Sequence, residues 1–207
     1  VKLLVLGANG RTGRLVVQRA LPDDWVTALV RTGTLLERRC RLVVGDALDA
    51  EQLTNALEGQ DAVICTIGPH ARGPDESVCR RVTEAMLEGM RRTGVRRAIA
   101  LTGAMVGHPH EHAGFVYRWA DKLLGEAGRA QLEDHRAQER LLTESGLDWT
   151  IVRPTRLTDE PARGVYRVGE DIDIGSLAHI GRADLADFLV ACAHGTEHVG
   201  RAVTIAY

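Results

Sequence analysis

The chain has 207 residues, 44% of them hydrophobic and 26% charged, and a formal net charge of −2. That length suits one domain able to bury its own core, and the near-neutral balance supplies no basic field for nucleic acid or an anionic membrane. No apolar run approaches the ~20 residues needed to span a bilayer. The sequence starts in a strand-like run, so no signal peptide is expected ahead of the fold. Cys40, Cys65, Cys79 and Cys192 form no C-x-x-C pair, and four scattered cysteines are expected to be reduced, mostly buried thiols of a cytoplasmic protein.

Apolar runs and helical patterns alternate along the chain. VKLLVL (1–6) is continuous and apolar, as a strand buried on both faces should be. RTGRLVVQRAL then has helical spacing, with Leu15, Val16 and Ala20 on one side. Strands are predicted at WVTALV (25–30), RLVVGD (41–46), DAVICTIG (61–68), VRRAIALTG (95–103) and LDWTIVRP (147–154). Helices are predicted at 50–59, 76–94, 132–146 and 182–195, three of them closed by Gly59, Gly94 and Gly146. The stretches 104–132 and 155–180 read as irregular, apart from a short strand at GVYRVG, and GRAVTIAY (200–207) reads as a final strand. Strands alternating with helices indicate a parallel sheet covered on both sides. The predicted architecture is a doubly wound α/β sheet of the Rossmann type, in a single domain spanning 1–207.

The first strand runs into GANGRTG, with glycines at 7, 10 and 13. Following a strand and opening a helix is the context a phosphate-binding turn requires. Gly7 lets the chain turn off the strand, Gly10 lets the backbone approach a phosphate, and Gly13 lets the helix pack closely. The helix amino terminus then directs N–H groups and its dipole at a pyrophosphate. The spacing is G-x-x-G-x-x-G rather than G-x-G-x-x-G, and a plain tight turn is the competing reading.

An NAD site places an acid at the end of the second strand, on the ribose 2′-hydroxyl. Here TALVRTGT has Arg31 at that point, and no acid follows until Glu37. A guanidinium there suits a 2′-phosphate, so NADP(H) is the expected cofactor, with Arg11 assisting from the glycine loop. The competing reading makes both arginines solvated surface residues. Asp46, ending the third strand, is open to two readings: an acceptor for the adenine amino group, or the N-cap of the next helix. Ile67 and Gly68 end the fourth strand, and Thr102 the fifth, on the carboxyl edge where open sheets bind ligands.

GANGRTG, LVR, VVGDALD, GQDAVICTIG, ALTGA and ESGLDWTIVRP together resemble the atypical short-chain dehydrogenase/reductase group of NAD(P)H-binding proteins, and within it the biliverdin-IXβ reductase/flavin reductase type. The likeness covers most of the chain, including RADLADFL, and is weakest over 104–132. It implies hydride transfer from NADPH to a flat conjugated acceptor. By position it places Gly7, Asn9, Gly10, Arg11, Thr12 and Gly13 on the pyrophosphate and Arg31 on the 2′-phosphate. Asp46 and Ala47 fall at the adenine, and Ile67 and Gly68 along the centre of the cofactor. Thr102, where the reductase type has Ser, falls beside the nicotinamide, with Pro154 and Thr155 after the sixth strand. His135 matches a histidine of the preceding helix. Arg156 stands where the reductase type has His, a departure that leaves the substrate open.

Alcohol dehydrogenases of this fold use a Tyr and a Lys four residues later. This chain has Tyr117 and Lys122, five apart, with Asp at 121, and at ~100° per residue those side chains diverge by ~140° on a helix. Hydride transfer itself needs donor and acceptor held in line, and a conjugated acceptor takes its proton from water or from a nearby group. Thr102, His135 and Arg156 are the candidates for proton supply or substrate orientation. HPHEH (108–112) has two readings, a metal-ligating strand and a polar loop at the pocket rim; no metal is expected. Phe115, Tyr117 and Trp119 would form a lid or a packing face.

The expected function is an NADPH-dependent reductase for a flavin, tetrapyrrole or quinone-like acceptor, with its pocket bordered by 69–75, 103–120 and 155–180. The alternatives are an NADP(H)-sensing regulatory protein without turnover and a biosynthetic enone or quinone reductase. A small-molecule substrate is expected, with neither nucleic acid nor membrane as partner, in a monomer or small homo-oligomer.

Overall fold

Alternate side chains of a strand face opposite sides of its sheet. β1 (Lys2–Leu6) buries Leu3 and Val5 in one apolar cluster, and Leu4 and Leu6 in another. It is covered on both faces, which is why it reads as one apolar run. The computed structural model describes residues 1–33, 39–68, 77–107 and 124–207. After β1 come α1 (Arg11–Ala20), β2 (Trp25–Val30), β3 (Arg41–Val44), α2 (Ala50–Leu57), β4 (Ala62–Cys65), α3 (Val78–Thr93) and β5 (Arg97–Leu101). Then follow α4 (Glu126–Thr143), β6 (Asp148–Pro154), β7 (Arg156–Thr158), β8 (Arg167–Gly169), β9 (His179–Gly181), α5 (Arg182–His194) and β10 (Arg201–Ala206).

The main sheet has the order β3-β2-β1-β4-β5-β6-β10-β8. All its pairings are parallel except β8 against β10. Leu3 of β1 stands between Val26 of β2 and Ala62 of β4. The chain therefore winds outward from β1 in one direction and then from β4 in the other. This reversal defines a switch point, where the crevice beyond the strands' carboxyl ends opens. The predicted doubly wound sheet is the one observed. Val16 and Val17 of α1 and Leu185 and Leu189 of α5 cover one face. Leu53 and Leu57 of α2, Met86 and Met90 of α3 and Leu142 of α4 cover the other. The buried side of α1 is formed by Val16, Val17 and Ala20, while Leu15 is only half-buried.

Two features depart from the sequence-based expectation. α4 begins at Glu126, six residues before the predicted start at 132. Its first turns carry Gly128, a residue that reads as a breaker; Leu124 packs there, 2.9 Å from where a β-carbon would stand. Within 155–180, β7 pairs in parallel with β9 as a separate two-stranded sheet, and strands of three residues leave no periodicity to read. That excursion is tied down by Asp184, 1% exposed, which accepts hydrogen bonds from Arg163 N at 2.7 Å, Gly164 N at 2.9 Å and the Tyr207 hydroxyl at 2.5 Å.

All four cysteines are unbridged, with Cys40 half-buried and the other three buried. Burial pushes the Cys65 thiol up to about 11 and the Cys192 thiol up to about 12, and raises Cys79 further. These three are unreactive packing groups at neutral pH. Among the described residues, no helix is long and apolar enough to cross a membrane. The predicted HPHEH motif, the Tyr117–Lys122 spacing, the aromatic residues 115–119 and the pocket segment 69–75 lie outside the described residues.

α1 seats on the loop after β1 so closely that a β-carbon on Gly13 would lie 2.1 Å from the Gly7 carbonyl oxygen. The Gly7 backbone and the hydrogen-bonded Thr66 hydroxyl, 2.8 Å away, leave no flexible group to yield. Gly13→Ala should therefore destabilise the protein by about 3 kcal/mol or more, at or beyond the upper end of overpacking costs; urea denaturation of the variant and the parent measures the difference.

Candidate active site

Gly7 has φ +82°, in the left-handed region that favours glycine, and a β-carbon there would stand 2.8 Å from Thr66 Oγ1. The Thr66 hydroxyl donates to the Leu6 carbonyl at 2.9 Å, tying the end of β4 to the end of β1. The Gly10 N–H donates back to Gly7 O at 2.8 Å and closes the turn. Gly10 is extended and caps α1 with no side chain, and the first turn carries no acid. Among the described residues, the N-cap thus offers the first N–H groups no side-chain acceptor, and the first turn of the helix carries no carboxylate to meet its dipole. Asn9 adds a buried Oδ1 with no hydrogen-bond partner. An uncapped helix start, a cradle that β-carbons would fill and an orphaned buried amide oxygen fit a dinucleotide's phosphates.

A cavity of about 750 Å³ opens over this loop, well within the range of small-molecule sites. One end is walled by Leu29, Val30, Arg31 and Thr32 at the end of β2, with Gly45 and Ala47 beyond β3. Gly7, Asn9, Gly10, Arg11 and Thr12 form the middle. Thr66, Ile67 and Gly68 follow β4, and Leu101, Thr102, His135 and Leu157 close the far end. The carboxyl ends of β2, β1, β4 and β5 thus share one trough across the switch point.

Not every predicted residue is on its wall. Gly13 lies behind the loop, where its missing side chain permits the close approach. The Asp46 carboxylate accepts from Leu48 N at 2.9 Å. The N-cap of α2 is Asp49, whose side chain accepts from Glu51 N and Gln52 N, which corrects the N-cap reading of Asp46. Pro154 ends β6, and Thr155 is buried against β10, its N–H and hydroxyl both donating to Ile205 O. Arg156 is exposed at the start of β7 and is absent from the lining. Of the expected borders, 103–107 adds no wall and 155–180 adds Leu157.

Thr102, 8% exposed, has its hydroxyl proton directed away from any ligand role: Oγ1 donates to Glu139 Oε1 at 2.8 Å. Glu139 is gripped in turn by Arg153, through Nε at 3.0 Å and a second guanidinium nitrogen at 2.5 Å. His135, one turn before Glu139 on α4, is half-buried, and its Nδ1 lies 3.0 Å from Gln138 Oε1. The Gln138 amide thereby engages Nδ1 and orients the ring, and Nε2 is the nitrogen it leaves to exchange a proton.

Several wall and support residues carried no motif. Arg182, at the start of α5, lines the cavity and pairs with Asp159 at 2.7 Å, and Arg11 pairs with the same carboxylate. Burial, and then the nearby Arg11, hold the Arg182 guanidinium below its usual value. Glu139 and Arg153 escaped the sequence reading, although an Arg inside the apolar run WTIVRP was a visible anomaly.

Residues 7–196 match the family described as NAD(P)H-binding, and the chain belongs to that family of oxidoreductases. YhfK of Bacillus subtilis, an uncharacterized sugar epimerase, is 27% identical over 204 residues, covering 92% of this chain and 87% of its own length. The (4-alkanoyl-5-oxo-2,5-dihydrofuran-3-yl)methyl phosphate reductase of Streptomyces griseus is 28% identical over 212 residues, covering 98% of this chain and 67% of its own. Among solved structures, a candidate NADH-flavin reductase from Streptococcus pneumoniae superposes with a TM-score of 0.83 at 23% identity, covering 99% of this chain and 98% of its own. ChuY, an anaerobilin reductase from Escherichia coli O157:H7, does so with 0.78 at 22%, covering 99% and 96%. These two likenesses establish a shared fold.

α4 reaches the site because α3 and α4 are joined by a buried cap. Asp134, 4% exposed, accepts from the amino-terminal N–H groups of α3 at Cys79 and Arg80, both at 2.8 Å. Removing the carboxylate strands one buried and one half-buried donor, so Asp134→Ala should cost about 2 kcal/mol, read as a lowered thermal midpoint.

Proposed function

We propose that this chain is an NADPH-dependent reductase that passes hydride to a flat, conjugated small molecule. The observation that carries this reading is the single trough that joins Arg31, the uncapped start of α1 and the Thr102–His135 end across the switch point. It has the order of parts a dinucleotide needs: a cation for a 2′-phosphate, N–H groups for a pyrophosphate, then a mixed polar and apolar end for the reacting rings. When bound, the nicotinamide supplies the hydride.

In this reading Arg31 holds the 2′-phosphate, and Gly45 and Ala47 flank the adenine. Asn9, Arg11 and Thr12 hold the pyrophosphate on the floor shaped by Gly7, Gly10 and Gly13. Ile67 and Gly68 support the nicotinamide half. His135 carries the proton through Nε2, with its ring oriented by Gln138. Thr102 orients rather than protonates, because its proton is engaged by Glu139. Pro154 and Thr155 hold the end of β6 in place, and the exposed Arg156 is given no part in proton transfer.

The flavin and tetrapyrrole acceptors draw support from the names of the structural neighbours, and an enone acceptor from the dihydrofuranone reductase of Streptomyces griseus. Sugar epimerisation of the kind named for YhfK is disfavoured here. The only lysines are Lys2 and Lys122: Lys2 begins β1 at the opposite edge of the sheet, and Lys122 stands five, not four, residues after Tyr117.

NADPH absorbance should fall only when protein and FMN are both present, and much more slowly with NADH. His135→Ala should lower kcat by about 10²-fold, the scale of lost general acid catalysis. NADPH that binds yet is consumed with no acceptor would favour the sensing reading. Arg31→Ala should weaken NADPH binding about tenfold, as expected for a charge-assisted contact, and leave NADH nearly unchanged; isothermal titration of both cofactors checks this, and equal losses would remove Arg31 from the 2′-phosphate.

A further inference from the structure

Two carboxylate oxygens, one guanidinium and one hydroxyl meet beneath the far end of the cavity. Glu139 Oε1 receives Thr102 Oγ1 at 2.8 Å and Arg153 Nε at 3.0 Å, and Oε2 receives the second guanidinium nitrogen at 2.5 Å. All three residues are largely enclosed: Thr102 is 8% and Glu139 7% exposed, and the Arg153 side chain 15%. The cluster is rigid from behind. Thr102 N donates to Val152 O at 2.9 Å, locking β5 to β6 beside Arg153. The guanidinium fills the space over Gly107, where a β-carbon would lie 2.0 Å from it.

A threonine hydroxyl has one proton and two lone pairs. A guanidinium only donates, and a carboxylate only accepts. With Arg153 holding both oxygens of Glu139, the direction of the third bond is fixed: the hydroxyl gives its proton to Glu139. Thr102 is on the cavity wall, and all it has left for a ligand is a lone pair. The common assumption for a hydroxyl at such a place, that it donates to a carbonyl, is reversed.

We propose that Glu139 and Arg153 act as positioning residues that make Thr102 a fixed hydrogen-bond acceptor, so that the ligand group against it carries a planar N–H of amide, imide or pyrrole type. The proposal rests on the reductase reading for its second partner. An acceptor that presents an N–H beside its reducible system is then favoured over one that presents only carbonyl oxygens, as a quinone does. A carboxamide N–H of the cofactor is the other source of the same chemistry, and binding measured without an acceptor separates the two.

The test compares the parent protein with Thr102→Val, Thr102→Ser and Glu139→Gln, each first shown to melt cooperatively. Three acceptors are used with NADPH: lumiflavin, which has an imide N–H, 3-methyllumiflavin, which lacks it, and menadione, which has only carbonyls. Thr102→Val should lower kcat/KM for lumiflavin about tenfold, the worth of one well-made hydrogen bond. The preference for lumiflavin over 3-methyllumiflavin and over menadione should fall about tenfold with it, and Thr102→Ser should restore the parent preference. In Glu139→Gln the new amide N–H can donate to Thr102, freeing the hydroxyl to turn; the preference for lumiflavin over menadione should shrink about tenfold, which a purely structural role would not produce.

If Thr102→Val instead weakens NADPH binding about tenfold and slows all three acceptors together, the N–H belongs to the cofactor, and the acceptor role of Thr102 stands. Unchanged NADPH binding together with an unchanged acceptor preference in both Thr102→Val and Glu139→Gln would overturn the proposal. A parent protein that oxidises NADPH with none of the three would instead count against the reductase reading, while the effect of Thr102→Val on NADPH binding would still decide what Thr102 does.

Discussion

The carbonyl oxygen of Gly7 stands 2.1 Å from the place where any side chain at position 13 would begin. This contact sets how the rest of the site is built. It brings the start of α1 onto the end of β1, the strand beside which the winding of the sheet reverses. The N–H groups of that helix consequently open into the crevice rather than onto another element. Gly7 takes φ +82° to make the approach, and Thr66 straps the same turn to β4. A parallel sheet needs both faces covered, and here the helix that covers one face also opens its first N–H groups at the middle of the trough.

The Thr102–His135 end depends on a different kind of order. α4 carries buried polar groups that a core helix ordinarily lacks: Asp134, Gln138 and Glu139 are all under 9% exposed. Asp134 and Glu139 reach across the structure, whereas Gln138 bonds within its own helix. Asp134 caps α3, Gln138 orients His135, and Glu139 joins Arg153 to Thr102. Buried charge is stabilised only when paired and hydrogen-bonded, so the Asp134 and Glu139 pairings constrain where α4 sits. The outcome is that His135 and Thr102 reach one cavity with their hydrogen-bonding directions already set.

The doubly wound sheet was legible because its central strands are buried on both faces and its first turn is glycine-rich, and both properties depend on residues close together in sequence. That Arg31 reaches the cavity was legible for the same reason, as it follows β2 directly. What the sequence concealed depends on contacts between distant segments. Asp134 reads as an ordinary helix acid until α3 is placed beside it, 54 and 55 residues away. The role of Thr102 changes when Glu139, 37 residues further on, takes its proton. Arg156 looked like a site residue because it stands where the reductase type has His, yet β7 pairs with β9 and leaves that side chain exposed. Arg182 reaches the cavity through the β9–α5 junction, whose three-residue strand has no pattern to detect.

A crystal structure of the protein with NADP+ bound would test the account most directly. The account predicts the pyrophosphate on the N–H groups that begin α1, the 2′-phosphate within hydrogen-bonding distance of Arg31, and the nicotinamide between Gly68 and the Thr102–His135 end. A dinucleotide lying in the opposite sense, or one whose nicotinamide stays outside the trough, would contradict it.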